Sequence, residues 1–440
     1  MCQCGSGSDL LVVLVLFAHE FVPGPCGPGS LPGLVIFAGQ VAGPDVTLPL
    51  VNRALSLAPA VAIGRLSYSL YLWHWPLLAM PHYLMGRVLP FKHTMVLLLF
   101  AVVFSYLSWQ WIEQPFRRAR AGIRPWRVVV VAVLASSLLV GFSALIVRRQ
   151  GLPRRFSPEV LAFGKPTPRN TQWRHSGHPE ADGVWRFKSA GLADRTDQRP
   201  AFLFWGDSHA IMISGVVNSV SKELGLSGLV ALRDGRPPLF GLWRYLSRRP
   251  VDRYESVMAW NQAIRDTIRM RKPRNIILCA YWVAYLQMSV NDIRPARPGQ
   301  PRSVPVRQLM LEGFEEILTL CEEIDSTLWI LEDPPRQPYE PRHRAITAHL
   351  TGQPVDLIGV SKAEHEERNA PMKELLDQLK NKRLRTLDLS ESFFEADGYS
   401  RVGTPTEAWY FDGDHLNEQA AEHLLRDTIM KLLEQMRAGE

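Results

Sequence analysis

The chain has 440 residues, with 50 Lys and Arg against 43 Asp and Glu and a net charge of +7. That length exceeds one ordinary domain and leaves room for two. The basic excess gathers in two arginine clusters, Arg117 to Arg127 and Arg148 to Arg155, on either side of an apolar segment. This is how a membrane span is flanked, and without interleaved aromatics it argues against nucleic acid as a partner.

The first third of the chain is apolar. Leu10 to Phe21 and Leu31 to Val41 are short, weak candidates for membrane helices. No basic region precedes Leu10 and no clear cleavage site follows, so the start does not read as a signal peptide. Three stronger candidates follow: Ala60 to Met85, broken by Pro76 and Pro81, then His93 to Ile112, then Arg127 to Val147. Each is long enough for the ~20 apolar residues that a span requires. Arg117, Arg118, Arg120 and Arg124 should keep their loop cytoplasmic, so the last helix would deliver the rest of the chain to the outer side. Arg148, Arg149, Arg154 and Arg155 bias the other way.

Residues 151–198 are rich in proline, arginine and glycine and read as a connector. From Ala201 the pattern becomes alternating strands and helices. The predicted strands are Ala201–Trp205, Gly228–Leu232, Asn275–Ala280, Thr327–Leu331 and Arg385–Leu389, with helices such as Tyr254–Met270, Val306–Ile324 and a closing one from Glu418. That alternation predicts a parallel sheet covered on both faces. Cys279 lies in a strand and Cys321 on a helix, which predicts two buried thiols. With Cys2, Cys4 and Cys26 they form no metal pattern, so no metal is expected.

Two segments carry chemistry. Gly206-Asp207-Ser208-His209 follows the first strand and opens a helix, while Asp412-Gly413-Asp414-His415 precedes the last helix. Sites in such sheets form beyond the carboxyl ends of the strands, so both segments can reach one edge. A serine hydroxyl needs an imidazole to take its proton, and the imidazole works better when a carboxylate fixes its tautomer. Ser208, His415 and Asp412 are therefore the expected nucleophile, base and orienting acid. Amides at the start of the helix, including that of Ser208, with Gly235 and Gly241 as further candidates, would stabilise an oxyanion. Asp207 is expected to bind loop amides, and His209 to pack or face substrate. Read separately, the first segment is equally a helix cap and the second an inert loop histidine.

The two segments together resemble the SGNH hydrolase superfamily. Ile63-Gly64-Arg65-Leu66-Ser67-Tyr68-Ser69-Leu70-Tyr71-Leu72-Trp73-His74-Trp75-Pro76 resembles the signature of acyltransferase-3 membrane O-acyltransferases, as does Ile112-Glu113-Gln114-Pro115-Phe116-Arg117. Ser67, Tyr68, Tyr71, His74 and Glu113 are the motif residues of that membrane half. The resemblance implies an α-helical membrane segment followed by an SGNH-hydrolase-like three-layer α/β domain with a parallel sheet. The implied boundaries are 1–150 for part of the membrane domain, 151–198 for the linker and 199–440 for the SGNH-like domain. It also implies a multi-pass protein of the bacterial inner membrane, its SGNH domain facing the periplasm or outside. Acetyl would pass from acetyl-CoA across the bilayer to a cell-envelope glycan, with no resident cofactor. The family's membrane domain has more helices than this chain shows, so the chain reads as amino-terminally truncated, with a separate chain able to supply the rest. The family's third motif supplies an asparagine to the oxyanion hole, whereas Cys279-Ala280-Tyr281-Trp282 offers Trp282. A carbohydrate esterase and a degenerate glycan-binding domain stay open as alternatives.

Overall fold

The computed structural model describes residues 50–85, 89–115, 125–165, 172–174, 176–179, 185–193, 198–245, 254–297 and 299–438. The two weak membrane candidates before Val41 and the arginine-rich loop 116–124 lie outside these residues. The chain divides into a helical unit up to Leu145 and an α/β unit from Ile146 onward.

In the helical unit, α1 (Ala58–Met85), α2 (Phe91–Ser108) and α3 (Pro125–Arg148) occupy the three stretches predicted from apolarity. A π-helical turn at Trp109–Glu113 extends α2. Two helices, Phe91–Glu113 and Trp126–Arg148, are long and apolar enough to cross a membrane. The α1 helix runs unbroken through Pro76 and Pro81. Arg65, Ser67, Ser69, His74 and His82 dilute its apolar character.

The α/β unit is built on a seven-stranded sheet. Its strands are β1 (Gly177–Pro179), β2 (Trp185–Gly191), β3 (Phe202–Gly206), β4 (Ser227–Leu232), β5 (Asn275–Cys279), β6 (Thr327–Leu331) and β7 (Leu384–Leu387). They lie in the order β1-β2-β4-β3-β5-β6-β7. The five strands from β4 to β7 pair in parallel, and β2 joins β4 antiparallel. Every residue of β3 is buried, as expected for a central parallel strand made of one apolar run.

Alternation along the strands feeds two cores. Phe202, Phe204, Val230, Leu232 and Ile277 pack on one face with α4 (Ser208–Glu223) and the closing helix Glu418–Ala438. Leu203, Trp205, Leu229, Ile276 and Leu278 pack on the other with α5 (Tyr254–Arg271), α6 (Val306–Ile324) and α7 (Lys362–Leu379). Helices, sheet and helices thus make the three layers that the sequence predicts. Cys279 and Cys321 are buried free thiols.

One stretch departs from the sequence reading. The connector 151–198 contains β1 and β2, so the sheet begins inside it. Strand β2 alternates exposed Arg186 and Lys188 with half-buried Phe187 and Ser189 near the sheet edge, and that charged alternation hides it from a search for apolar runs.

Candidate active site

Gly206 ends β3 because nothing larger fits there. A Cβ at this position would lie 2.0 Å from the Cys279 carbonyl oxygen and 2.4 Å from Ala210 Cβ. The tight turn that follows puts Asp207 at the N-cap of α4, where its Oδ1 accepts the His209 amide at 2.8 Å. Asp207 Oδ2 accepts the Tyr281 amide at 3.2 Å and the Tyr285 hydroxyl at 2.6 Å, so this buried carboxylate ties the turn to the loop after β5. Burial pushes its pKa up, against the three donors that pull it down. Asp207 thus takes the loop-bonding role read from the sequence.

Ser208 is the first residue of α4 and is half-buried. Its hydroxyl donates to His415 Nε2 at 2.8 Å. The histidine reaches it because its loop is tied down on several sides. Gln337 donates its amide to the Gly413 carbonyl at 2.7 Å, and the Leu416 amide meets Met212 Sδ of α4 at 3.4 Å. Phe411 stacks on the imidazole at 5.3 Å.

His415 Nδ1 lies 2.9 Å from Asp412 Oδ2 and 2.9 Å from Asp414 Oδ1. With carboxylates on that side, Nδ1 carries the proton and Nε2 is left to accept from Ser208. Asp412 Oδ1 also accepts the Asp414 and His415 amides at 3.0 and 2.8 Å, which fixes the loop turn. Burial pulls the His415 pKa down, but the hydrogen bonds and charges of Asp412 and Asp414 outweigh it and hold it up, at about 10. Burial likewise opposes ionisation of Asp412, yet the His415 contact and charge hold its carboxyl well below the usual range.

The structure therefore brings Ser208, His415 and Asp412 into one hydrogen-bonded line. In this arrangement an imidazole can take a hydroxyl proton as the oxygen attacks an acyl carbon, and a carboxylate can stabilise the imidazolium that forms. Gly235 and Gly241 both adopt positive φ, at 68° and 78°, beside the guanidinium groups of Arg244 and Arg297. Trp282 is buried, and its indole N–H donates to the Leu331 carbonyl at 2.8 Å. Asp333 receives the Trp282 and Val283 amides at 3.1 and 3.0 Å, and burial lifts its pKa to about 8. Nothing in the sequence marked Asp333, which joins the site only through the neighbouring of β5 and β6.

His209 is buried, stacks on Tyr281 at 4.3 Å and meets His415 edge-on at 5.1 Å. Burial and then the charge of His415 drive its pKa well below the ordinary value, so it stays neutral. His209, Asp414 and His415 bring three donor atoms within 4.8 Å of one another. Both His415 nitrogens are already engaged, by Ser208 and by the carboxylates, so the group serves the proton line.

In the helical unit, Ser69 is buried and its hydroxyl donates to Glu113 Oε2 at 3.3 Å, joining the two membrane motifs. The Ser67 hydroxyl donates to the Gly64 carbonyl at 2.8 Å. His74 turns Nδ1–H back to the Leu70 carbonyl at 2.9 Å and lies 5.8 Å from the Tyr71 ring. Tyr68 and Tyr71 face outward.

A strand-ending glycine, a serine at the helix start and a histidine before the last helix, all on one three-layer α/β domain, define the SGNH class of fold. Residues 174–428 match the family described as "SGNH domain (fused to AT3 domains)", and the chain belongs to that family. It is similar to O-acetyltransferase OatA of Staphylococcus aureus (strain NCTC 8325 / PS 47), 35% identical over 71 residues. The match covers 16% of this chain and 12% of that protein. Among solved structures, the lipopolysaccharide acetyltransferase periplasmic domain of Salmonella ser. Paratyphi A aligns at 14% identity and a TM-score of 0.40. That alignment covers 54% of this chain and 85% of that one. A GDSL-like lipase of Bacteroides thetaiotaomicron VPI-5482 aligns at 10% identity and a TM-score of 0.32, over 56% and 92% of the two chains.

Proposed function

We propose that this protein is a membrane-bound O-acyltransferase that carries an acyl group, most simply acetyl, on Ser208 Oγ and delivers it to a hydroxyl of a cell-envelope glycan. The observation that carries the reading is the line from Ser208 Oγ to His415 Nε2 at 2.8 Å and from Nδ1 to Asp412 at 2.9 Å. Membership of a family fused to AT3 domains and the similarity to an O-acetyltransferase favour transfer over hydrolysis.

In this reading His415 takes the Ser208 proton as Oγ attacks the acyl carbon and passes it to the leaving group. It then takes the proton of the glycan hydroxyl that attacks the acyl-serine and returns it to Oγ. First-turn amides of α4, with Gly235 as a further candidate donor, stabilise the oxyanion. Acetyl-CoA is the original donor, and the helices hold the protein in the inner membrane with the α/β domain outside.

The test is mass spectrometry of the full chain in detergent after incubation with an activated acetyl ester. An acetyl group on Ser208 is expected, lost in Ser208→Ala and transferred to an added oligosaccharide faster than acetate is released. Equal adducts in wild type and Ser208→Ala would sink the serine's role. Release of acetate alone would make the protein an esterase.

A further inference from the structure

The imidazole of His415 has two carboxylates on one nitrogen, where the proton line requires one. Asp412 Oδ2 and Asp414 Oδ1 each lie 2.9 Å from Nδ1. The two acids are not equivalent. Asp412 also accepts two amides of its own loop, so it shapes the turn and aims the ring. The Asp414 carboxylate brings a second negative charge to the same N–H. Two carboxylates crowded on one nitrogen repel, a repulsion relieved by a proton shared between them or by a cation, and the imidazolium supplies that cation.

Building on the reading above, we propose that Asp414 is a positioning residue whose carboxylate stabilises the imidazolium that His415 becomes when it takes the Ser208 proton, while Asp412 orients the ring. Other groups around the imidazole do not replace it. From the β3–α4 turn come Asp207, which is engaged by three donors, and His209, which is neutral. Tyr281 comes from the loop after β5, and its hydroxyl accepts from Arg368 Nη2 of α7 at 2.7 Å. Arg336 acts on Tyr281 as well. Among the described residues, Asp412 and Asp414 are the acids that touch Nδ1.

The consequence is a base that is slow to lose its proton. Stabilisation of the imidazolium lowers the barrier when Ser208 gives up its proton, but at rest it keeps more of the enzyme protonated. Activity should then rise with pH through and beyond neutrality, consistent with the upward direction of the His415 pKa.

Deuterium exchange at the imidazole C2 position, followed by mass spectrometry on the full chain in detergent, reads the titration of each histidine without turnover. For His415 the midpoint should lie above the ordinary value of about 6.5 and fall by about one unit or more in Asp414→Asn. Asp414→Glu should restore it. The rate of Ser208 labelling by a fluorophosphonate should move its acid limb downward by the same amount. A midpoint in Asp414→Asn that coincides with wild type overturns the proposal, and Asp414→Ser takes its place if that variant does not fold. If Ser208 is never labelled while the midpoint still falls, the acyltransferase reading fails and the role of Asp414 stands.

Discussion

The helical and α/β units use the same apolar residues in opposite ways. In α3, Leu138, Leu139 and Val140 are 75%, 67% and 67% exposed. In β3, Leu203 and Phe204 are 1% and 0% exposed. Water pushes apolar side chains inward, as in β3, whereas a bilayer accepts them on the outside provided the backbone bonds itself, as a helix does. The contrast is the one expected of a chain folded for two solvents. Paired substitutions in the two units therefore have different, and sometimes opposite, expected effects.

The largest effect falls in the α/β unit. Gly206→Ala drives a methyl into the Cys279 carbonyl and Ala210, and neither is the far end of a flexible side chain. Overpacking in cores ordinarily costs ~1–3 kcal/mol, and a backbone clash this close should reach about 4 kcal/mol. Thermal unfolding should shift downward by roughly 10 °C, at ~2–4 °C per kcal/mol for a domain of this size. A shift of a degree or two would mean that the end of β3 yields to the added methyl.

Why some of this was legible from sequence and some was not follows from the physics of each residue. Strands β3, β4, β5 and β6 are short apolar runs because both their faces are covered, and such runs stand out. Ser208, His415 and Asp412 were legible because few residue types can do their chemistry and because Asp412 and His415 share one turn. Asp414 was hidden in plain view, since a position between an acid and its histidine can hold any residue until a structure shows where its side chain points. Asp333 was invisible because it meets Trp282 only across the sheet. Gly235 and Gly241, expected only as oxyanion donors, both adopt the positive φ that glycine tolerates. A turn glycine, however, does not say which group its amide faces.

A middle-sized effect tests the outward apolar surface of α3. Leu139→Arg places a charge where the helix is bare. If lipid surrounds it, the charge costs about 3 kcal/mol at a mid-membrane position, and the fraction of chain resisting carbonate extraction should fall. If water surrounds it, the same substitution is harmless and extraction is unchanged. The outcome decides which solvent this surface is built for.

The smallest effect inverts Gly206→Ala. Gly141 lies within α3, and a Cβ there meets nothing within 4 Å. Alanine in place of a helix-interior glycine removes a backbone-entropy cost of about 1 kcal/mol. Gly141→Ala should therefore raise, by up to about that amount, the stability of α3 measured by helical circular dichroism against a denaturing detergent. One substitution type then destabilises the sheet unit and stabilises the helical unit, because one glycine is pressed against backbone and the other is open. A loss of stability in Gly141→Ala would show instead that the glycine makes room for a close neighbour, since small residues let helices approach in a bilayer. In that case the face of α3 around Gly141 is a packing surface rather than a lipid-facing one.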